Sequence, residues 1–218
     1  VEKISKGVKN RRKGKPVRFV YDKDMNAELL DYLIQKLHLT RKSSIIPGGH
    51  IHNFRHFMDF PDVLVEKQER PKPFPHPAFR NKTQVSEVIL KKDVMLHFPY
   101  HSFNSVIDLL RESAMDPDVL SIKITAYRLA PASKVINALI NAARNGKAVT
   151  VMLEVKARFD EEANLEWKDV LEQEGITVLF GVQNMKVHAK VCVIKKREKN
   201  KTVQYGFVST GNLNENTS

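Results

Sequence analysis

The stretch Lys186-Val-His-Ala-Lys190 places an imidazole and an ammonium two residues apart. Side chains alternate along a strand, so His188 and Lys190 are expected on one face, with Val187, Ala189 and Val191 on the other. A histidine beside a lysine can supply a nucleophile and a positive charge for a phosphoryl group. An isolated H-x-K is common by chance, and its plainer reading is a strand histidine bonded to backbone. Two arginines stand upstream at matching points. Ile122-Lys-Ile-Thr-Ala-Tyr-Arg128 and Leu153-Glu-Val-Lys-Ala-Arg158 each put a guanidinium just past the carboxyl end of an expected strand. That edge is where ligands bind in open α/β sheets, and two guanidiniums there make a charged clamp for phosphoryl oxygens. Taken singly, each reads as an ion-pair partner, Arg158 of Glu161 or Glu162. Downstream, in Ser209-Thr-Gly-Asn-Leu-Asn214, Gly211 would let the backbone approach a ligand. Thr210, Asn212 and Asn214 offer hydrogen bonds to phosphate or imidazole.

Other chemistry-bearing residues read more plainly. His50, His52 and His56 have metal-ligand spacing, but only Asp59 adds a further donor, so surface or structural histidines are expected. His97 and His101 flank Pro99-Tyr100 at a strand-to-helix turn, and turn structure is preferred over a pocket. Cys192 reads as a packed thiol, Trp167 as a core side chain, and Gly48-Gly49 as a turn without phosphate-loop spacing.

The elements that must carry these groups follow from periodicity. Gly14 and Pro16 end a first helical stretch, Val17 to Tyr21 read as a strand, and Leu29, Leu30, Leu33, Ile34 and Leu37 mark an amphipathic helix over 25–38. Residues 61–77 hold five of the ten prolines and read as an extended linker. Beyond it, strands and helices alternate. Leu120 to Ala126 is a strand, Ser133 caps a helix ending at Gly146, and Val149 to Val155 is a strand. Asp160 caps a helix that Gly175 closes, and strands follow at 176–180, 187–194 and about 202–209. The last two are expected to form an antiparallel hairpin around the charged loop Lys195 to Lys201. The fold class is α/β, a mixed and largely parallel sheet flanked by helices, preceded by a small α+β piece. If strand 187–194 runs antiparallel, its start and the turn at 209–214 both reach the edge that carries the arginines.

Composition bounds the partners. The 218 residues carry 36 Lys+Arg against 25 Asp+Glu, a net charge of +11, and are 42% hydrophobic. A core is affordable and a polyanionic partner is indicated. Eight basic residues against Glu2 lie in residues 1–18, most of them on the first helical stretch, whose role the pattern does not assign. One cysteine excludes a disulfide framework and suits a reducing cytosol. The chain starts on Val1 and stops at Asn214-Glu215-Asn216-Thr217-Ser218 without a closing element, so it reads as a piece of something longer.

At this point the motifs are recognisable. H-x-K followed by a Gly-Asn turn resembles the half-site of the phospholipase D superfamily. Residues 93–218 resemble the first catalytic domain of bacterial polyphosphate kinases of the long, phosphohistidine-dependent form. The carrying stretches are Leu96-His-Phe-Pro-Tyr-His-Ser-Phe103, Asp116-Pro-Asp-Val119, Ile122 to Arg128, Lys156-Ala-Arg-Phe-Asp-Glu-Glu-Ala-Asn164, Lys186 to Lys190 and Ser209 to Glu215. Residues 1–60 resemble the end of the preceding head domain, 61–84 the linker, and 85–218 a first catalytic, phospholipase D-like domain incomplete at its C-terminus.

The resemblance implies that His188 is the histidine phosphorylated, with Lys190 beside it. It implies that Arg128 and Arg158 surround Mg²⁺ and the nucleotide phosphates, with Asn212 and Asn214 nearby. A guanidinium has no lone pair to offer a metal, so both arginines are assigned to phosphate oxygens. The implied reaction moves the terminal phosphate of ATP onto inorganic polyphosphate, reversibly, in a cytoplasmic protein or one peripheral to the inner membrane face. Implied partners are ATP/ADP, polyphosphate, a second catalytic half of the same chain and further copies of the full-length protein. Lys195 stands where phospholipase D half-sites carry aspartate, which weighs against a phosphodiesterase assembled from two chains. A basic nucleic-acid-binding module is the non-enzymatic alternative, but aromatics do not interleave with the basic stretches.

Overall fold

A computed structural model describes residues 2–11, 13–40, 44–51, 53, 54, 57, 71–80, 84–127, 129, 130, 132–154, 161–181, 185 and 187–215. The chain divides into two compact units, residues 6–70 and residues 71–218 together with 1–5.

In the smaller unit, β1 (Arg18–Asp22) and β2 (Ser44–Gly48) pair in parallel, from Arg18 opposite Ser44 to Asp22 opposite Gly48. Between them runs α2 (Ala27–Lys36), following α1 (Glu2–Arg11) and β1 in the chain. The Asn26 side chain caps α2 by accepting the Glu28 and Leu29 amides at 2.9 and 3.2 Å. His50 Nδ1 bonds Asp22 Oδ2, so this histidine serves the small sheet. His52 and His56 lie outside the described residues. Among those described, no group of three His, Cys, Asp or Glu could hold a metal.

The larger unit holds α3 (Val85–Ile89), α4 (Asn104–Met115), β3 (Val119–Ala126), α5 (Lys134–Arg144), β4 (Ala148–Leu153), α6 (Glu161–Gln173), β5 (Thr177–Phe180), β6 (Lys190–Glu198) and β7 (Lys201–Ser209). Its sheet has the order β5-β4-β3-β6-β7. The β3–β4 and β4–β5 pairs are parallel, while β6 is antiparallel to both β3 and β7. Four strands therefore point one way and β6 points against them, the mixed sheet expected from the sequence.

Alternation builds one covered face. Ile122, Ile124 and Ala126 of β3, Val149, Val151 and Leu153 of β4, and Cys192 and Ile194 of β6 join one core. Val106, Ile107 and Leu110 of α4 and Val135, Ile136 and Leu139 of α5 complete it. Each such side chain contributes about 1.5–3 kcal/mol on burial, which fixes strand register. Trp167 of α6 packs against this core while remaining partly accessible. The opposite face carries exposed Lys123, Val193 and Val208.

Helix ends follow sequence signals. Ser133 Oγ accepts the Ile136 amide at 3.2 Å, and Glu215 Oε1 accepts the Lys134 amide, so two separated side chains cap α5. Gly146 and Gly175 take left-handed φ of 79° and 73° after α5 and α6.

Three expectations change. The charged run from Lys195 does not form the hairpin loop: it continues β6 to Glu198, and the turn is Lys199-Asn200, with Lys199 at φ 53°. Basic side chains on an edge hairpin stay solvated, so charge alone does not break a strand. β6 begins at Lys190, so His188 is not on the strand. The second half of the proline-rich stretch is pinned, because Phe74 donates to Tyr100 O at 3.0 Å and accepts from the Ser102 amide at 2.9 Å. The His76 and His101 rings then meet 4.8 Å apart, and the His97 amide donates to His101 Nδ1 at 2.8 Å, making the turn expected there.

Candidate active site

Because β6 runs against β3, its first residue lies where β3 ends, and β7 ends there too, with Ser209 directly opposite Lys190. Tyr127 follows β3 and Glu154 follows β4 at the same edge. The sheet thus gathers positions 127, 154, 187–190 and 209–214, far apart in sequence, at the carboxyl ends of its parallel strands.

His188 is exposed, and its ring stands 5.2 Å from that of Tyr127 at an interplanar angle of 73°. Lys190 is only 4% exposed. Its Nζ donates to the carbonyl of His188 at 2.8 Å and sits 4.8 Å from the Tyr127 ring centroid. The two side chains therefore do not project side by side from a common strand face. The reason is Thr125, whose hydroxyl accepts the Val191 amide at 2.9 Å and donates to Ala189 O at 2.6 Å. A side-chain hydroxyl here takes over bonds that a strand ladder would make, and residues 187–189 leave the ladder. The shared ring of Tyr127 reunites histidine and lysine instead. Cation–π contact of this kind contributes about 0.5–2 kcal/mol, more where water is excluded.

Glu154, 3% exposed, accepts the Val187 amide at 2.9 Å. Asn164, 1% exposed in the first turn of α6, donates from Nδ2 to Tyr127 O at 3.1 Å and to Glu154 O at 2.9 Å. One amide thus ties together the ends of β3 and β4.

Asn212 and Asn214 lie half-buried on the turn after β7, around buried Leu213. Ser209 Oγ closes that turn onto Gly211 O at 2.9 Å. A Cβ at Gly211 would meet only Ser209 Oγ at 3.9 Å, so no contact within the chain demands glycine there. Arg128 and Arg158 lie outside the described residues, as does Lys186. Cys192 is 1% exposed, and burial pushes its thiol up to about 12, so it packs as expected and offers no thiolate.

Residue types alone singled out His188, Lys190, Asn212 and Asn214, which the fold brings to one edge. They did not single out Thr125, Tyr127, Glu154 or Asn164. One signal was present: Glu154 breaks the apolar run Val149 to Val155, and an acid at a buried strand end requires a partner.

Known proteins share this chain's sequence and shape. Residues 84–218 match the family model "Polyphosphate kinase C-terminal domain 1", and residues 1–60 match "Polyphosphate kinase middle domain". The polyphosphate kinase of Vibrio vulnificus (strain CMCP6) is 45% identical over 221 residues, covering 100% of this chain and 31% of that protein. That of Escherichia coli (strain K12) is 43% identical over 228 residues, covering 100% of this chain and 32% of the relative. The crystal structure of polyphosphate kinase from Porphyromonas gingivalis superposes with a TM-score of 0.67 at 34% identity, over 94% of this chain and 33% of that one. The chain thus spans about a third of the length of the curated relatives it matches. With a catalytic-domain model accounting for residues 84–218 and the fold agreeing, the chain belongs to the polyphosphate kinase family.

Proposed function

We propose that this chain supplies one half of the active site of a reversible ATP:polyphosphate phosphotransferase, with His188 as its phosphorylated nucleophile. The observation that carries the reading is an exposed imidazole held against Tyr127 beside the buried ammonium of Lys190, at a sheet edge of a polyphosphate kinase family member. In the first half-reaction a ring nitrogen of neutral His188 attacks the γ-phosphorus. An N–P bond forms, the P–O bond to ADP breaks, and ADP leaves. In the second, a terminal oxygen of polyphosphate attacks the same phosphorus, breaking the N–P bond and restoring the imidazole. Such transfers depend on positioning and on cations near the equatorial oxygens rather than on new covalent chemistry. Lys190 supplies one positive charge. Arg128, Arg158, Asn212 and Asn214 are assigned to phosphate oxygens by their place in the sequence.

Mg²⁺ enters this reading with the nucleotide. The described residues contain no carboxylate, histidine and cysteine cluster able to hold it, and guanidinium offers no lone pair. The metal is therefore taken as part of the Mg–ATP substrate. Residues 1–60 are read as the end of a preceding domain, 61–84 as the linker, and 85–218 as a first catalytic domain that needs a second half. Homo-oligomerisation of the full-length protein belongs to the same proposal. No described helix is long and apolar enough to cross a membrane. With a single buried cysteine, a cytoplasmic protein, or one peripheral to the inner membrane face, is proposed.

The test is incubation of the full-length protein with γ-labelled Mg–ATP. An acid-labile, base-stable label lost in His188→Ala is expected, and a label of that kind persisting in the variant would sink the assignment.

A further inference from the structure

The backbone around His188 is held by side chains instead of by a strand ladder. The Val187 amide donates to Glu154 Oε2 at 2.9 Å, the His188 carbonyl accepts from Lys190 Nζ at 2.8 Å, and the Ala189 carbonyl accepts from Thr125 Oγ1 at 2.6 Å. Thr125 and Lys190 act after the histidine, where β6 begins. Glu154 acts before it, on the amide one residue upstream.

Glu154 is itself fixed. Its amide donates to Ala126 O at 3.2 Å, its carbonyl accepts from Asn164 at 2.9 Å, and the residue is 3% exposed. A side-chain oxygen fixed in this way offers the Val187 amide an acceptor at a defined reach, 2.9 Å away. Its partner sits next to the residue whose ring must meet phosphorus in line. A displacement of about 1 Å at a reacting group can cost about 10²-fold in rate.

We infer that Glu154 is a positioning residue for phosphoryl transfer at His188, acting through the Val187 amide. The inference rests on the phosphohistidine reading above. It concerns the reach of the carboxylate, and this gives it a test that separates bond geometry from charge. Glu154→Gln keeps an acceptor oxygen at the same reach and removes the charge. Glu154→Asp keeps the charge and withdraws the acceptor by about 1.5 Å, one C–C bond.

The experiment is rapid-quench labelling of the full-length protein with γ-labelled Mg–ATP, with the KM for ATP and amide hydrogen exchange measured on the same proteins. Glu154→Gln is expected to form the phosphoenzyme within about threefold of the wild-type rate, and Glu154→Asp about 10²-fold more slowly. In Glu154→Asp, exchange at Val187 should rise, while KM and the protection of β3 and β4 stay within about twofold of wild type. The reverse order, with Asp active and Gln impaired, would overturn the inference by showing that charge is what matters. So would wild-type rates in both variants, or loss of β3 and β4 protection in step with the rate, which marks a purely structural role. A wild-type protein that takes no label fails at the earlier step, overturning the phosphohistidine reading and this inference with it.

Discussion

At the amino end of β3, Asp116 Oδ2 and Lys196 Nζ meet at 2.6 Å, the Asp118 amide donates to Asp116 Oδ1 at 2.9 Å, and Lys147 Nζ donates to Asp116 O at 2.5 Å. At the carboxyl end, Lys190 Nζ goes to the His188 carbonyl, Glu154 to the Val187 amide, and Asn164 to the carbonyls of residues 127 and 154. Both ends are polar and both sit on the same core. At the first, opposite charges answer one another and the loops are locked. At the second, Lys190, Glu154 and Asn164 each bond backbone groups, and the imidazole beside them stays exposed. One edge locks opposite charges together, whereas the other holds the His188 ring in a defined place beside Tyr127, an arrangement typical of sites built on rigid elements.

The largest separation of the two ends should come from His188→Ala. Removing a covalent nucleophile typically lowers turnover by about 10⁴-fold or more. Truncating an exposed side chain moves stability by only about 0.5 kcal/mol. Phosphoenzyme formation should vanish while hydrogen exchange along β3 and β6 stays as in wild type. Loss of protection there would mean that the carboxyl edge is as structural as the amino edge.

Gly206→Ala attacks both ends at once. A Cβ at Gly206 would stand 2.0 Å from the backbone oxygen of Cys192, inside any permitted contact, so β6 and β7 must separate. About 3 kcal/mol or more should be lost. Exchange should quicken along the whole of β6, from Lys190 to Glu198. Acceleration confined to one end would show that the two edges are coupled less tightly than the shared strand implies.

Asn164→Ala acts on the carboxyl end alone. It deprives a partly buried and a buried carbonyl, those of Tyr127 and Glu154, of the same donor, at a cost of about 1–3 kcal/mol for a buried group left unsatisfied. The rate of labelling should fall along with the stability, and β3 should loosen at Ala126 but not at Val119. Equal loosening at both would argue against local action.

The smallest effect belongs to Asp116. Burial by itself would raise its carboxyl, but hydrogen bonds from Lys196 and the Asp118 amide, with the nearby Lys196 and Lys147 charges, bring it below the ordinary range. A depressed carboxyl contributes stability that is present above its unfolded value and is lost as pH falls through the folded one. Lys196 is raised, first by its hydrogen bond to Asp116, so its share is present below the unfolded lysine value and lost as pH rises through the folded one. Protection at Val119 should therefore hold at neutral pH and fall below about pH 4. Asp116→Ala should remove about 1 kcal/mol at pH 7, flatten that acid limb and leave labelling unchanged. A slower label would tie the amino end to the chemistry.

Much of this was legible in the sequence because it rests on local signals. Ser133, Gly146 and Gly175 marked helix ends through capping chemistry. The β-branched runs of β3 and β4 marked buried parallel strands. The type and spacing of His188 and Lys190, with the Gly-Asn turn, marked the residues that the fold gathers at one sheet edge. What failed had non-local causes. The charged run Lys195 to Glu198 looked like a loop because its partners in β7 and β3 hold it in the ladder, and those cannot be read from its own composition. Thr125, Glu154 and Asn164 went unassigned because each acts on a backbone group at least 10 residues away in the chain, and Tyr127 because its ring partners, His188 and Lys190, are distant in sequence.

By itself the sequence determined the strand–helix alternation and singled out the exposed histidine at the sheet edge, because these depend on residue type and period. Only the tertiary structure decided how histidine and lysine meet. Local alternation put them side by side on a strand. The antiparallel entry of β6 and the hydroxyl of Thr125 put them around Tyr127 instead, since a backbone leaving its ladder must find hydrogen bonds wherever neighbouring strands supply them.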